Sequence, residues 1–559
     1  MRQKYVLGAF ALLCAVVTLP LALAQSSTSS SLPGWMSAAW QQALSVPLLP
    51  TILSGKVPAS LPQTSTTLDV NGTTSTYFPS GAVTTAGNPF FTSLGTNGRT
   101  CFSCHQPQNN WSISPSTLLV TYVATLGRDP VFAPVDGADC PNTGAAANTF
   151  GLSFIQARVQ LFTHGNFRIA LPPPVNPQWA SVTVTSDPTG CERSATYGIN
   201  NPTNPTLSFY RRPLPATNVV YTSPGFRKNP DGSVVPNIMW DARESSLESQ
   251  FTDATLTHAQ STSTPAALAT AASEGANFQR GSFTAQSTNF VAGDLTGADG
   301  SGATGGPVNL YNYSNSLPIT GSPFGGACAV PTLPCPGSLI GNPATPGAFL
   351  ETTDFNAFST APGNTAAATA MRESINRGQN IFNNRSFAIN GVTGLDDIGR
   401  TPIASQVGTC SRCHNNGNVG NDAFNDPKHI GVADNSYVSA AQASANGSST
   451  LPLTPDLPVF TFLCPVGSIN YFSNPVTVNG VTYDEYQTSD PGVGWITGQC
   501  NDLGKFKVSS LRGIGARPPF FHGGQAATMQ DVVIFYNNRF NIGLSAQDIQ
   551  DLTNFLNAQ

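Results

Sequence analysis

Near the C-terminus, Met529, Val532, Val533 and Tyr536 fall at i, i+3, i+4 and i+7, and Ile549, Leu552, Phe555 and Leu556 follow a similar pattern. Each stretch therefore predicts a helix with one apolar face. Thr528 and Ser545 stand before them as N-caps, with Asp531 and Asp548 three residues on. A third helix is predicted at 364–383, where Met371, Ile375 and Ile381-Phe382 carry the apolar spacing. Ser114-Pro115 opens a fourth at about 116–126, and a short helix carrying His164 is expected within 150–170. Residues 25–85 alternate Ser, Thr and Pro with short apolar runs and read as an extended arm. From about 261 to 350 the chain is rich in Ala, Ser and Thr and then in Gly and Pro, without a period. That region is expected to be loop, loosest at 296–306.

Composition adds to this picture. Charged residues are only 10% of the chain, whereas Gly and Pro number 52 and 45, which predicts long uncharged loops. A net charge of -5 with no Lys/Arg cluster argues against a nucleic-acid partner. The first residues, MRQKYVLGAFALLCAVVTLPLALA, have the form of a secretory signal peptide over 1–24, cut before Gln25. No later stretch is long and apolar enough to span a bilayer, so the expectation is a periplasmic or secreted bacterial protein without a membrane anchor.

The cysteines hold the chemistry. Residues 101–105 read Cys-Phe-Ser-Cys-His and residues 410–414 read Cys-Ser-Arg-Cys-His. In C-x-x-C-H two thiols can add across the vinyl groups of a haem while the adjacent His reaches the iron. With 11 Cys and 6 His in the chain, chance gives on the order of 0.002 such matches. A zinc knuckle would need a second ligand pair at matching spacing, and a thioredoxin-type pair would need a βαβ setting; neither is present. Two covalently bound haem c groups are therefore expected, on Cys101, Cys104 and His105, and on Cys410, Cys413 and His414. The fold class that follows is mainly α, with two cytochrome c-type haem domains and long irregular loops. The domains are expected at 25–360 and 361–559. Setting aside Cys14 and the four haem thiols, six cysteines remain. They allow 15 pairings, of which neighbour pairing (140 with 191, 328 with 335, 464 with 500) is the expectation.

Two further stretches, WDARESSLESQ at 240–250 and FKVSSLRGIGARPPFFHGGQAATMQDVVIFYNNRF at 506–540, join the paired C-x-x-C-H motifs. Together they resemble the bacterial dihaem cytochrome c peroxidase family, including its MauG-like branch. The resemblance leaves out the long Gly/Ser/Pro insertions. It implies that the N-terminal haem meets hydrogen peroxide and that the C-terminal haem stores or relays an electron. Trp240 would stand between the haems and Gln250 in the distal pocket. The family's distal glutamate falls at Gln260, whose carboxamide cannot shuttle a proton; a register shift of two would give that role to His258. The distal His of the resting peroxidases falls at Thr121, which implies a first haem open to ligands. At the second haem the family's axial Met, counted from His522, falls at Tyr536. Tyrosine there matches the MauG-like branch, with His522 and Met529 as rivals. Some relatives hold Ca2+ between the haems, for which Asn218 and Pro519 are the candidates here.

The implied function is a periplasmic peroxidase taking electrons from a small donor protein, such as a monohaem cytochrome or a cupredoxin. A MauG-like or rubber-oxygenase-like enzyme using O2 or peroxide is the alternative, as is a dihaem electron carrier.

Overall fold

A computed structural model describes residues 57–140, 151–221, 236–316, 353–392, 405–414, 420–421, 427–434, 456–469 and 474–559. Three helices, Ala366–Asn384, Met529–Phe540 and Ala546–Asn557, build the C-terminal core. Thr365, Thr528 and Ser545 cap them, the last two in reciprocal boxes with Asp531 and Asp548 that satisfy otherwise orphaned backbone N–H groups. Ile375, Phe382, Val533, Leu552 and Phe555 meet beneath them. Gly378 sets the spacing, because a Cβ there would lie 2.0 Å from the Asp551 carbonyl oxygen. In the N-terminal half, Ser114 caps a Pro115–Thr125 helix, and His164 ends a Val159–His164 helix. Their apolar faces close over Leu118, Tyr122, Phe132 and Leu161.

The mainly α expectation is not met. Helix accounts for 34% of residues and strand for 20%, in five small sheets among the described residues. Thr64–Leu68 and Gly72–Tyr77 form a hairpin inside the expected arm, and Phe283–Asn289 adds to it. These segments are rich in threonine, whose branched Cβ suits a pleated strand. A second four-stranded sheet pairs Ser181–Ser186 with Val459–Pro465 and continues through Val481–Thr488 and Asn474–Val478.

The 261–350 region is also more ordered than its composition implies. Thr264 caps a Pro265–Arg280 helix whose buried side has small residues, Ala272, Gly275 and Ala276, beside Leu268, Phe278 and Gln279. Gly275 lets this helix close on the Leu247–Thr257 helix, since a Cβ there would meet the Phe251 ring at 2.2 Å. Disulfides join Cys140 to Cys191 and Cys464 to Cys500, as expected. The expected Cys328–Cys335 pair and the 1–24 signal segment lie outside the described residues. Among the described residues no helix is long and apolar enough to cross a membrane.

Candidate active site

The two C-x-x-C-H stretches fold alike. Cys101–Ser103 and Cys410–Arg412 are single 3-10 turns. The backbone N–H groups of His105 and His414 donate to the carbonyls of Cys101 and Cys410 at 3.0 and 3.2 Å. Each imidazole turns Nδ1 to a backbone carbonyl, His105 to Trp111 at 2.7 Å and His414 to Gly420 at 2.6 Å. Such a bond fixes the ring, as it does in a histidine that ligates a metal through Nε2. A phenyl ring stands beside each one in matching geometry: Phe90–His105 and Phe382–His414 both show 6.1 Å between centroids and a 51° tilt. Burial draws His105 down to about 4, which keeps it in the neutral form that binds a metal. The four motif thiols are in no disulfide, and burial pushes Cys101, Cys104 and Cys410 up to about 12.

A partly open cavity adjoins the second motif. Cys410, Cys413 and His414 line one side, and Phe382, Val533 and Leu552 help make the wall apolar. Arg212, Lys428, Lys507 and Arg517 also face it, and no described carboxylate does. Burial pulls Lys507 down to about 7, and burial together with the charge of Arg517 pulls Arg212 down to about 9. The Nε atoms of Arg212 and Arg517 are buried without a hydrogen-bond partner. Their Nη groups bond only neutral carbonyls, so the two buried positive charges favour an anion in this chamber. A haem joined to Cys410 and Cys413 would fit this donor set, and the two arginines would offset its negative charge.

The same cavity gathers Trp240, His522, Met529 and Tyr536. Trp240 Nε1 donates to the Arg212 carbonyl at 2.7 Å, and its ring lies 6.1 Å from that of His522. His522 stacks on Phe506 at 3.9 Å, and burial draws it down to about 4. Burial, with the Cys413 and Cys410 thiols beside it, pushes the Tyr536 phenol above its ordinary value.

A smaller, partly open cavity adjoins the first motif and is lined by Cys101, Cys104, His105, Gln250 and His258. Ser246 starts the Leu247–Thr257 helix with a capping box. Phe251, Ala254, Thr255 and His258, at i, i+3, i+4 and i+7, then line the cavity from one helix face. This cavity offers a haem the same two thiols and imidazole as the other. Its further partner, unseen from the sequence, is Asp136: one carboxylate oxygen bonds His258 Nδ1 and the other pairs with Arg99. Burial alone would raise Asp136, but Arg99 and then His258 hold its carboxyl below the usual carboxylate range. Gln260 lies apart, exposed at a φ of 55°, with its side-chain oxygen 3.5 Å from Asn97 Nδ2. Thr121 donates to the Thr117 carbonyl within its own helix and does not line the cavity.

The calcium candidates do not fit the ion. Asn218 commits its amide to Thr284, Nδ2 donating to the carbonyl at 2.7 Å and Oδ1 accepting from the backbone N–H at 2.9 Å. The Pro519 carbonyl accepts from Arg212, whose guanidinium also reaches the carbonyls of Ile113, Arg517 and Pro518. A cationic side chain fills this carbonyl nest, where Ca2+ would need six to eight oxygens. No group of three His, Cys, Asp or Glu side chains able to hold a metal ion occurs among the described residues.

Over 92 aligned residues the chain is 34% identical to the cytochrome-c peroxidase IdrP1 of Denitromonas iodatirespirans. It is 33% identical to the protein of the same name from Pseudomonas sp. (strain SCT). Each alignment covers 14% of this chain and 24% of the relative, so the chain spans about a quarter of the length of the curated relatives it matches. No family model matches the chain, and no solved structure matches it. The similarity supports a cytochrome c peroxidase-like relationship, without pointing to a branch of that class.

Proposed function

We propose that this protein is a dihaem c-type peroxidase, with one haem in a 25–360 domain and the other in a 361–559 domain. The observation that carries the reading is the first cavity, which brings His105 of a C-x-x-C-H motif together with Gln250 and His258. When bound there, the haem supplies the iron that takes peroxide and passes on the electrons. His258 takes the proton from one peroxide oxygen and delivers it to the other, so that the O–O bond breaks with water as the leaving group. The Gln250 amide holds the peroxide by hydrogen bonding. With two electrons and two protons, one hydrogen peroxide yields two waters.

Trp240 is the proposed relay to the second haem, whose cavity it lines. Tyr536, which lines the same cavity as His414, would be a second protein ligand of the haem held there. The electrons come from a small donor protein, a monohaem cytochrome or a cupredoxin, in the periplasm or outside the cell.

Steady-state turnover with peroxide and a reduced monohaem cytochrome tests the proposal. Two donor molecules should be oxidised per peroxide. Absence of peroxide-dependent donor oxidation in the haem-loaded protein would contradict it. Oxidation of a protein or polymer with O2 would then favour an oxygenase.

A further inference from the structure

His258 is held more firmly than a surface histidine needs to be. It stands at the C-cap of the Leu247–Thr257 helix, where its carbonyl accepts from Asn97 Nδ2 at 2.7 Å and from Arg99 Nη1 at 3.4 Å. Its Nδ1 bonds Asp136 on the short Pro134–Gly137 helix, 122 residues away in the chain. Asp136 and Arg99 are 4% and 2% exposed. Arg99 satisfies its other N–H groups on the carbonyls of Pro130, Val131 and Ala133 at 2.8, 2.7 and 3.2 Å. A buried ion pair gains little net stability over apolar packing. This one meets the edge of a histidine that lines the first cavity with His105.

We infer that Asp136, braced by Arg99, is a positioning residue that fixes the tautomer and direction of His258. In a neutral imidazole one ring nitrogen donates and the other accepts. With Nδ1–H donated to Asp136, Nε2 carries the lone pair, and a lone pair is what abstraction of a peroxide proton requires. Arg99 lies two residues before Cys101, so the side chain that braces Asp136 also belongs to the approach to the haem-attachment turn. The inference rests on the proposed role of His258.

The test uses the full, haem-loaded chain and the rate at which the ferric protein reacts with peroxide in a stopped flow. His258→Gln and Asp136→Asn should each slow the reaction by about 10²-fold. The double variant should be no slower than His258→Gln alone, because Asp136 acts only through His258. Asp136→Glu keeps a charge opposite Arg99 and covers failure of Asp136→Asn to fold. It displaces the carboxylate by a methylene and should lose about tenfold or more. Independently of turnover, 15N NMR of the ferrous, carbon monoxide-bound protein should show His258 protonated at Nδ1 and bare at Nε2. Mixed tautomers are expected in either Asp136 variant. Full rate and an unchanged tautomer in a folded Asp136 variant, with His258→Gln slow, would overturn the positioning role and leave the proposed function standing. Additive losses in the double variant would overturn it too. Full rate in His258→Gln would overturn the role of His258 itself.

Discussion

Tyr536 shows how the second cavity weighs a ligand. Burial disfavours the phenolate, so the proton leaves only where a nearby positive charge offsets that cost, as ferric iron does. Replacing the ring by one without the oxygen should therefore open a coordination position: Tyr536→Phe is expected to turn the second ferric haem high-spin in its electron paramagnetic resonance spectrum. An unchanged low-spin signal would transfer ligation to His522 or Met529, which share the cavity wall. The motif residues were legible because their chemistry is contiguous: two thiols and an imidazole within five positions. Asp136 and Arg212 were not. Asp136 lies 122 residues from His258, and Arg212 lies 305 from the Arg517 carbonyl. No local pattern announces a partner at such separations.

At the scale of elements, legibility followed the size of the buried side chains. The Met529–Phe540 and Ala546–Asn557 helices announce themselves through large apolar residues at helical spacing and reciprocal caps. The Pro265–Arg280 helix buries alanine and glycine along much of its inner side, so its period is faint although its packing is close. Thr64–Leu68 alternates in exposure and Gly72–Tyr77 is mostly buried, yet neither alternates in hydropathy, since threonine serves both faces. That is why a mixed α and β chain read as helices joined by loops. The helix that carries Gln250 and ends at His258 was not predicted, although its capping serine pair at 246 and 249 gave a local signal in the sequence.

Across the whole molecule, the N- and C-terminal parts are tied together by backbone and charge. Ser181–Ser186 pairs with Val459–Pro465. Arg211 grips Asp490 through Nε at 2.6 Å and Nη2 at 2.9 Å. Arg212 binds Ile113 from the first part and the Arg517–Pro519 carbonyls from the second. Its backbone N–H donates to the His522 carbonyl at 2.7 Å and its own carbonyl accepts from Trp240. A guanidinium thus occupies the Pro519 carbonyl that was a candidate for Ca2+. Prolonged chelation should therefore leave the Tm unchanged in a thermal melt. A fall in Tm reversed by added Ca2+ would show that a divalent ion contributes after all.

Everything proposed for the two cavities depends on a haem in each. Pyridine haemochrome quantitation against protein mass should return two haems per chain, both retained after acid-acetone extraction because each is held by thioether bonds. One haem per chain, or haem released into the acetone, would contradict the account.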